Sequence, residues 1–134
     1  MVLHILHSQS VPLLNTAVVG SLFSLALGLL GTLNPASAFK LFDFTPPLKP
    51  EDRKLATNLF LFWGSRDLYM GATTLAAWYI GDQKSLGWMY LAAAGVAMTD
   101  VVQSQRQLGN IVWKHGIAVP IAIGIGGGLL GWFD

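Results

Sequence analysis

Cysteine is absent from this 134-residue chain, which excludes disulfides, thiolate metal sites and cysteine nucleophiles. Charge is scarce as well. Only 11% of residues are Asp, Glu, Lys or Arg, against about a quarter in a globular domain. The formal net charge is +1 and no basic run is present, so nucleic acid is not an expected partner. Three familiar catalytic patterns are also missing: an HExxH helix, a serine–histidine–acid order and a phosphate loop. Gly124-x-Gly126 has neither a strand before it nor an acid after it, so its glycines read as packing residues. No cofactor is expected. Apolar residues fill the gap, at 53% of the chain, a composition suited to a membrane rather than to a soluble core.

The apolar residues fall into four spans, at about residues 11–34, 56–80, 86–104 and 111–133. The first is closed by Asn34-Pro35 and covers about 30 Å at 1.5 Å per residue, the thickness of the hydrocarbon layer. Ala36-Ser37-Ala38 looks like a signal-peptide cleavage site. However, the apolar run is longer than a signal core and no Lys or Arg precedes it, only His4 and His7, so it reads as a retained span. His4-x-x-His7 reads as a frayed interfacial end rather than a metal site.

Residues 36–55 hold most of the charge: Lys40, Asp43, Lys49, Glu51, Asp52, Arg53 and Lys54. Pro46, Pro47 and Pro50 bar a continuous helix there. Phe39, Leu41, Phe42 and Phe44 place this connection on the membrane interface. Pro50-Glu51-Asp52 opens the next helix, with proline and acids where a helix start favours them. Gly81-Asp82-Gln83-Lys84 is a tight polar turn. Pro120 is expected to kink the last span.

The expected fold is all-α, an integral membrane four-helix bundle running up-down-up-down as one domain over residues 1–134. Lys40, Lys49, Arg53, Lys54 and Arg106 lie in the two connections of one face, and only Lys84 on the other. The positive-inside rule makes the first face cytosolic and both termini lumenal. Gly20, Ser24, Gly28 and Gly31 are spaced for one helix face, as are Gly124/Gly128 and Gly127/Gly131, and small residues let helices approach closely.

Within this apolar chain, Arg66 and Asp67 stand side by side in the middle of the second span. Each costs roughly 2.5–3.5 kcal/mol at a helix centre, while the apolar neighbours return only about 0.3–0.6 kcal/mol apiece. This helix therefore needs polar partners. By helix rise, Arg66, Asp67, Asp100 and His115 fall in one half of the bundle, within roughly 10 Å of each other in depth. Lys114 is expected to snorkel to the surface. Adjacent residues point about 100° apart on a helix, so Arg66 is expected to reach Asp100, with its fork or His115 serving Asp67. Asp67 shares a stripe with Phe60, Trp63, Gly64, Gly71 and Thr74; Arg66 shares one with Tyr69, Met70 and Thr73.

Two carboxylates flanking an arginine can differ in protonation, one donating a proton while the other activates water. Opening an epoxide requires that division of labour. Asp67, Asp100, Arg66 and His115 are the catalytic candidates, and Trp63, Tyr69, Gln103 and Asn58 the candidates for substrate contact. The alternatives left open are an isomerase or cyclase using the same site, and a non-enzymatic carrier or scaffold in which the polar residues only fix helix register.

Gly64-Ser65-Arg66-Asp67 with Gly71, then Gly87, Asp100 and Lys114-His115-Gly116, resemble the pattern of a family of small four-span membrane proteins of unknown function, common in fungi. The resemblance covers roughly residues 50–131. Proteins of this type are similar to the membrane epoxide hydrolases of aurovertin- and citreoviridin-type polyketide pathways. The resemblance implies a lipophilic polyketide or terpenoid substrate, the endoplasmic reticulum membrane as location, and pathway enzymes such as an epoxidase as partners. It carries the site role onto Arg66, Asp67, Asp100 and His115.

Overall fold

The structure, a computed structural model, describes residues 5–42, 44–109 and 116–134. Among them are five helices and no strand: α1 Val11–Leu33, α2 Pro35–Leu41, α3 Pro50–Tyr79, α4 Gln83–Leu108 and α5 Ala118–Leu129. The all-α expectation holds. The expected interfacial connection contains α2, because Asn34-Pro35, which closes α1, also starts a second helix. The Asn34 side chain accepts the Ser37 N–H at 3.1 Å, and Pro35 takes the first helical position, where its missing N–H costs nothing.

α3 opens on Pro50 with Glu51 and Asp52 in its first turn. It ends at Gly81, whose φ of +76° suits a residue without Cβ. Asp82 then caps α4: its carboxylate accepts the Ser85 N–H at 3.0 Å and the Ser85 hydroxyl. Those bonds hold the Asp82 carboxyl below its ordinary pKa. Gly109, left-handed at φ +68°, closes α4 one turn after Arg106, which suits the negative end of a helix dipole. Pro120 lies in the first turn of α5, not at a mid-helix kink. A first-turn residue has no intrahelical acceptor to lose.

Two helices, α1 and α4, are long and apolar enough to cross a membrane, and only 22% of each apolar window is buried. A helix forming the core of a soluble protein would be mostly buried. Here large apolar side chains face outward instead: Val19, Leu22, Phe23 and Leu33 on α1, and Trp88, Met98 and Val102 on α4. Exposure on this scale suits a hydrocarbon surround. α3 is longer, at 30 residues, but carries Arg66 and Asp67. α5 is apolar and short, at 12 residues. Part of the expected fourth span (residues 111–115) lies outside the described residues.

The chain divides into two compact units, one of residues 19–75 and one of residues 1–18 with 76–134. The second has a core of Leu13, Ala17, Ala77, Leu86, Tyr90, Ala94, Ala122, Ile125 and Leu129. The Tyr90 hydroxyl donates to the Ala17 carbonyl, satisfying a buried polar tip. α4 and α5 meet backbone to backbone. A Cβ on Gly126 would lie 2.9 Å from the Gly87 carbonyl oxygen. The N-terminal segment is fastened to the same unit. Asp134 accepts the Ser8 N–H at 2.8 Å and the Ser8 hydroxyl at 2.6 Å, and Gln83 donates to the Ser8 carbonyl. His7 lies 3.7 Å from the Asp134 carboxylate. The Ser8 bonds hold the Asp134 carboxyl below its ordinary pKa, with His7 adding a smaller effect.

Candidate functional site

The unit of residues 19–75 contains the Arg66–Asp67 pair, and a seam of small residues positions it. α1 presents Ser21, Ser24, Gly28 and Gly31; α3 presents Gly64, Leu68 and Gly71. A Cβ added to Gly64 would stand 2.7 Å from the backbone of Gly31 and Thr32. One added to Gly71 would lie 2.8 Å from the Ser21 carbonyl oxygen, and one on Gly28 would strike the Leu68 backbone. Only hydrogen fits at these places, so the two backbones meet as in small-residue membrane interfaces. The Ser24 hydroxyl donates across the seam to the Asp67 backbone carbonyl at 3.1 Å. Four further hydroxyls of this unit bond within their own helix: Thr32 to Gly28 on α1, and Ser65 to Phe62, Thr73 to Tyr69 and Thr74 to Met70 on α3.

The stripe expected for Asp67 is the inward face of α3. Asp67 is 8% exposed and Thr74 7%, and Gly64 and Gly71 face α1. The Arg66 Nε donates to the Asp67 Oδ1 at 3.2 Å, and Nη2 lies 3.2 Å from the same oxygen. The adjacent pair therefore meets directly, although the two Cβ directions diverge. The 100° between neighbouring Cβ directions constrains short side chains, but the arginine stem is long enough to bend its guanidinium round to the next residue. That the arginine fork serves Asp67 agrees with expectation.

Towards the start of α3 the connection folds onto the same face. The Phe39 ring lies 4.2 Å from Phe60. Phe42 meets Trp63 edge to face at 4.6 Å. Phe44 and Trp63 each lie 5.8 Å from Phe60. Trp63 also covers Gly31, where a Cβ would come within 2.9 Å of its ring. Ala38, at the end of the cleavage-like Ala36-Ser37-Ala38, is fully buried. The phenylalanines of residues 36–44 are thus packed on α3, where tilted and edge-to-face ring pairs add to their area burial.

Trp63 is half-buried one turn before Asp67. Tyr69 and Asn58 lie on the exposed side of α3, and Arg66 is between, with 32% of its side chain exposed against 11% for Asp67. Asp100 and Gln103 belong to α4 in the other unit, Asp100 half-buried and Gln103 exposed. His115 and Lys114 lie outside the described residues. Among the described residues no group of three or more His, Asp or Glu is placed to hold a metal ion. Sequence reasoning put Ser24 on the packing face but missed its bond to Asp67. The signal was available: Ser24 is the one hydroxyl among the spaced small residues Gly20, Gly28 and Gly31.

One family model matches the chain, that of a domain of unknown function (DUF4267), over residues 21–129. The match includes the seam, the ion pair and Asp100, and it carries no link to epoxide hydrolases. No curated protein and no solved structure matches.

Proposed function

The chain belongs to the DUF4267 family, and from that premise we propose a multi-pass membrane protein that performs acid–base chemistry on a lipophilic small molecule. The reaction we assign is the opening of an epoxide, by water or by an internal hydroxyl, on a polyketide or terpenoid. The observation that carries this reading is an ion pair in the apolar middle of α3, with the Asp67 side chain buried and the Arg66 side chain partly exposed. Charged groups are costly in such a setting and tend to mark function. In the step proposed, Asp67 takes a proton from water, whose oxygen attacks an epoxide carbon. The C–O bond breaks and the ring oxygen accepts a proton, giving a diol. Arg66 orients Asp67. Asp100 and His115 are the sequence's candidates for the proton donor. Isomerisation or cyclisation would use the same groups.

The experiment is turnover of a long-chain epoxide by membranes containing the wild type, Asp67→Asn or Asp100→Asn. Full turnover by both variants at normal membrane levels would sink the reading. The topology proposed is four spans with lumenal termini in the endoplasmic reticulum. Because the chain has no cysteine, single cysteines at Leu48 and Trp132 can report their side of the membrane to an impermeant thiol reagent. Labelling of both from the same side contradicts it.

A second reading, a non-enzymatic carrier or scaffold, is favoured by the direct contact of Arg66 with Asp67. Contact between opposite charges lowers the cost of insertion without any chemistry. On that reading Arg66→Gln lowers abundance and removes no chemical step.

A further inference from the structure

Residues 5–10 are clasped by the unit of residues 1–18 and 76–134 through backbone fit and polar contacts. A Cβ on Gly128 of α5 would lie 2.8 Å from the Leu6 carbonyl oxygen. Gln83, the first residue of α4, donates to the Ser8 carbonyl, and Gln9 donates back to the Gln83 side chain at 3.2 Å. Beyond α5, Gly131 at φ +79° turns the chain, as a residue without Cβ can. Asp134 then takes both the Ser8 N–H and the Ser8 hydroxyl. His7 stands at the edge of this clasp, with one ring nitrogen near two groups. Its Nδ1 accepts the Gln9 N–H at 3.3 Å and lies 3.7 Å from the Asp134 Oδ1. Accepting that N–H takes the lone pair of Nδ1, which belongs to a neutral ring with its proton on Nε2. A lone pair offers a carboxylate oxygen no bond.

From this we propose that the clasp is a proton-operated latch, in which His7 changes partner from the Gln9 N–H to the Asp134 carboxylate when it is protonated. The inference does not depend on the acid–base reading of Arg66 and Asp67. Once Nδ1 carries a proton it no longer accepts from Gln9, and it becomes a charged donor beside a carboxylate. Oδ1 already takes the Ser8 N–H at 2.8 Å, and a carboxylate oxygen has a second lone pair for His7. Gln9 is exposed, so water replaces Nδ1 at its N–H for little cost. Among the described residues at the start of α4, Asp82 is engaged by Ser85, and Lys84 acts on Asp82. Asp134 is the carboxylate beside His7. Docking of the segment and protonation of His7 therefore favour each other. The latch is tightest in acid and loosens as pH rises through the range where histidine changes charge. Asp134 stays ionised throughout that range, because the Ser8 bonds hold its carboxyl below its ordinary pKa. The two side chains are 48% and 36% exposed, so the gain is that of a surface ion pair. That is enough to tighten a short segment and too little to move global unfolding.

The test uses the full chain in lipid nanodiscs. Because it has no cysteine, a single cysteine at Ile5, 49% exposed, can carry a nitroxide whose spectrum separates docked from mobile segments. The mobile-to-docked ratio is expected to fall about two- to fivefold between about pH 8 and about pH 5, the scale of one exposed ion pair. His7→Gln and Asp134→Asn should each remove that change, and Asp134→Asn should also raise the ratio at both pH values. Gln83→Ala, which removes a neutral contact, should raise the ratio and keep the change, separating the switch from mere attachment. A ratio that does not respond to pH in the wild type would overturn the proposal. A response that survives His7→Gln, or that disappears in His4→Gln with His7 intact, would overturn it too, by assigning the proton to another group.

Discussion

Asp67 is held from three directions, and each makes a separate demand on the sequence. Its side chain is bound by Arg66, its backbone carbonyl by Ser24, and its helix is pressed against α1 through residues that have no side chain. Removing one charge of the pair strands the other. Arg66→Gln and Asp67→Asn are each expected to destabilise the protein more than the double variant implies, with a coupling of about 1–3 kcal/mol in a double-mutant cycle. Reversible unfolding in mixed micelles measures it. Additivity would mean that the contact contributes nothing to stability. Gly64→Ala should cost about 1–3 kcal/mol, because its Cβ must displace α1 backbone. Gly95→Ala, where nothing lies within 4 Å, should be neutral or gain up to about 1 kcal/mol from helix propensity. The burden of charge was legible at this scale, since two ionisable residues in an apolar run announce themselves. Service of Asp67 by the arginine fork was one of two options left open, and rotation angles could not choose between them, because they describe Cβ directions and not where a flexible stem ends.

At the scale of elements, ring contacts join α2 and the residues just after it to α3. Trp63 touches Phe42, Phe60 and Gly31 together, so Trp63→Ala removes the common member. We expect a loss of about 3 kcal/mol and faster amide hydrogen exchange over residues 35–44, with little change in α5. Unchanged exchange there would show that Asn34 and its cap hold α2 alone. The end of α1 and the start of α3 could be read from Asn34-Pro35 and Pro50-Glu51-Asp52, whose signals are local. α2 was missed because seven residues are too few to show periodicity. Its stability comes from Phe39 packed on Phe60, a contact far off in the chain.

At the scale of the whole molecule, two carboxylates outside the apolar spans fasten connecting segments: Asp82 caps α4, and Asp134 holds Ser8. Both carboxyls are held below their ordinary pKa by hydrogen bonds to serine. A depressed carboxyl contributes stability that is present above its unfolded pKa and lost as pH falls through the folded value. The thermal midpoint in detergent should therefore hold steady near neutrality and fall below about pH 4. Asp134→Asn should flatten part of that decline and loosen the N-terminal segment at every pH. An unaltered acid limb would assign the decline to other carboxylates.

Helical class, apolar spans and the positions of the charged residues were determined by the sequence alone, because each follows from composition and local periodicity along one chain. α1 and α4 keep the character expected of them, and the inward stripe of Asp67 was readable from 3.6-residue spacing. Tertiary structure decided which neighbours those stripes meet. It set the glycines of α1 against Gly64 and Gly71, gave the Asp67 carbonyl its bond from Ser24, and turned Arg66 back to its own neighbour while leaving part of it exposed. Those outcomes depend on the distance between backbones and on the reach of long side chains, and neither quantity is encoded within a single helix.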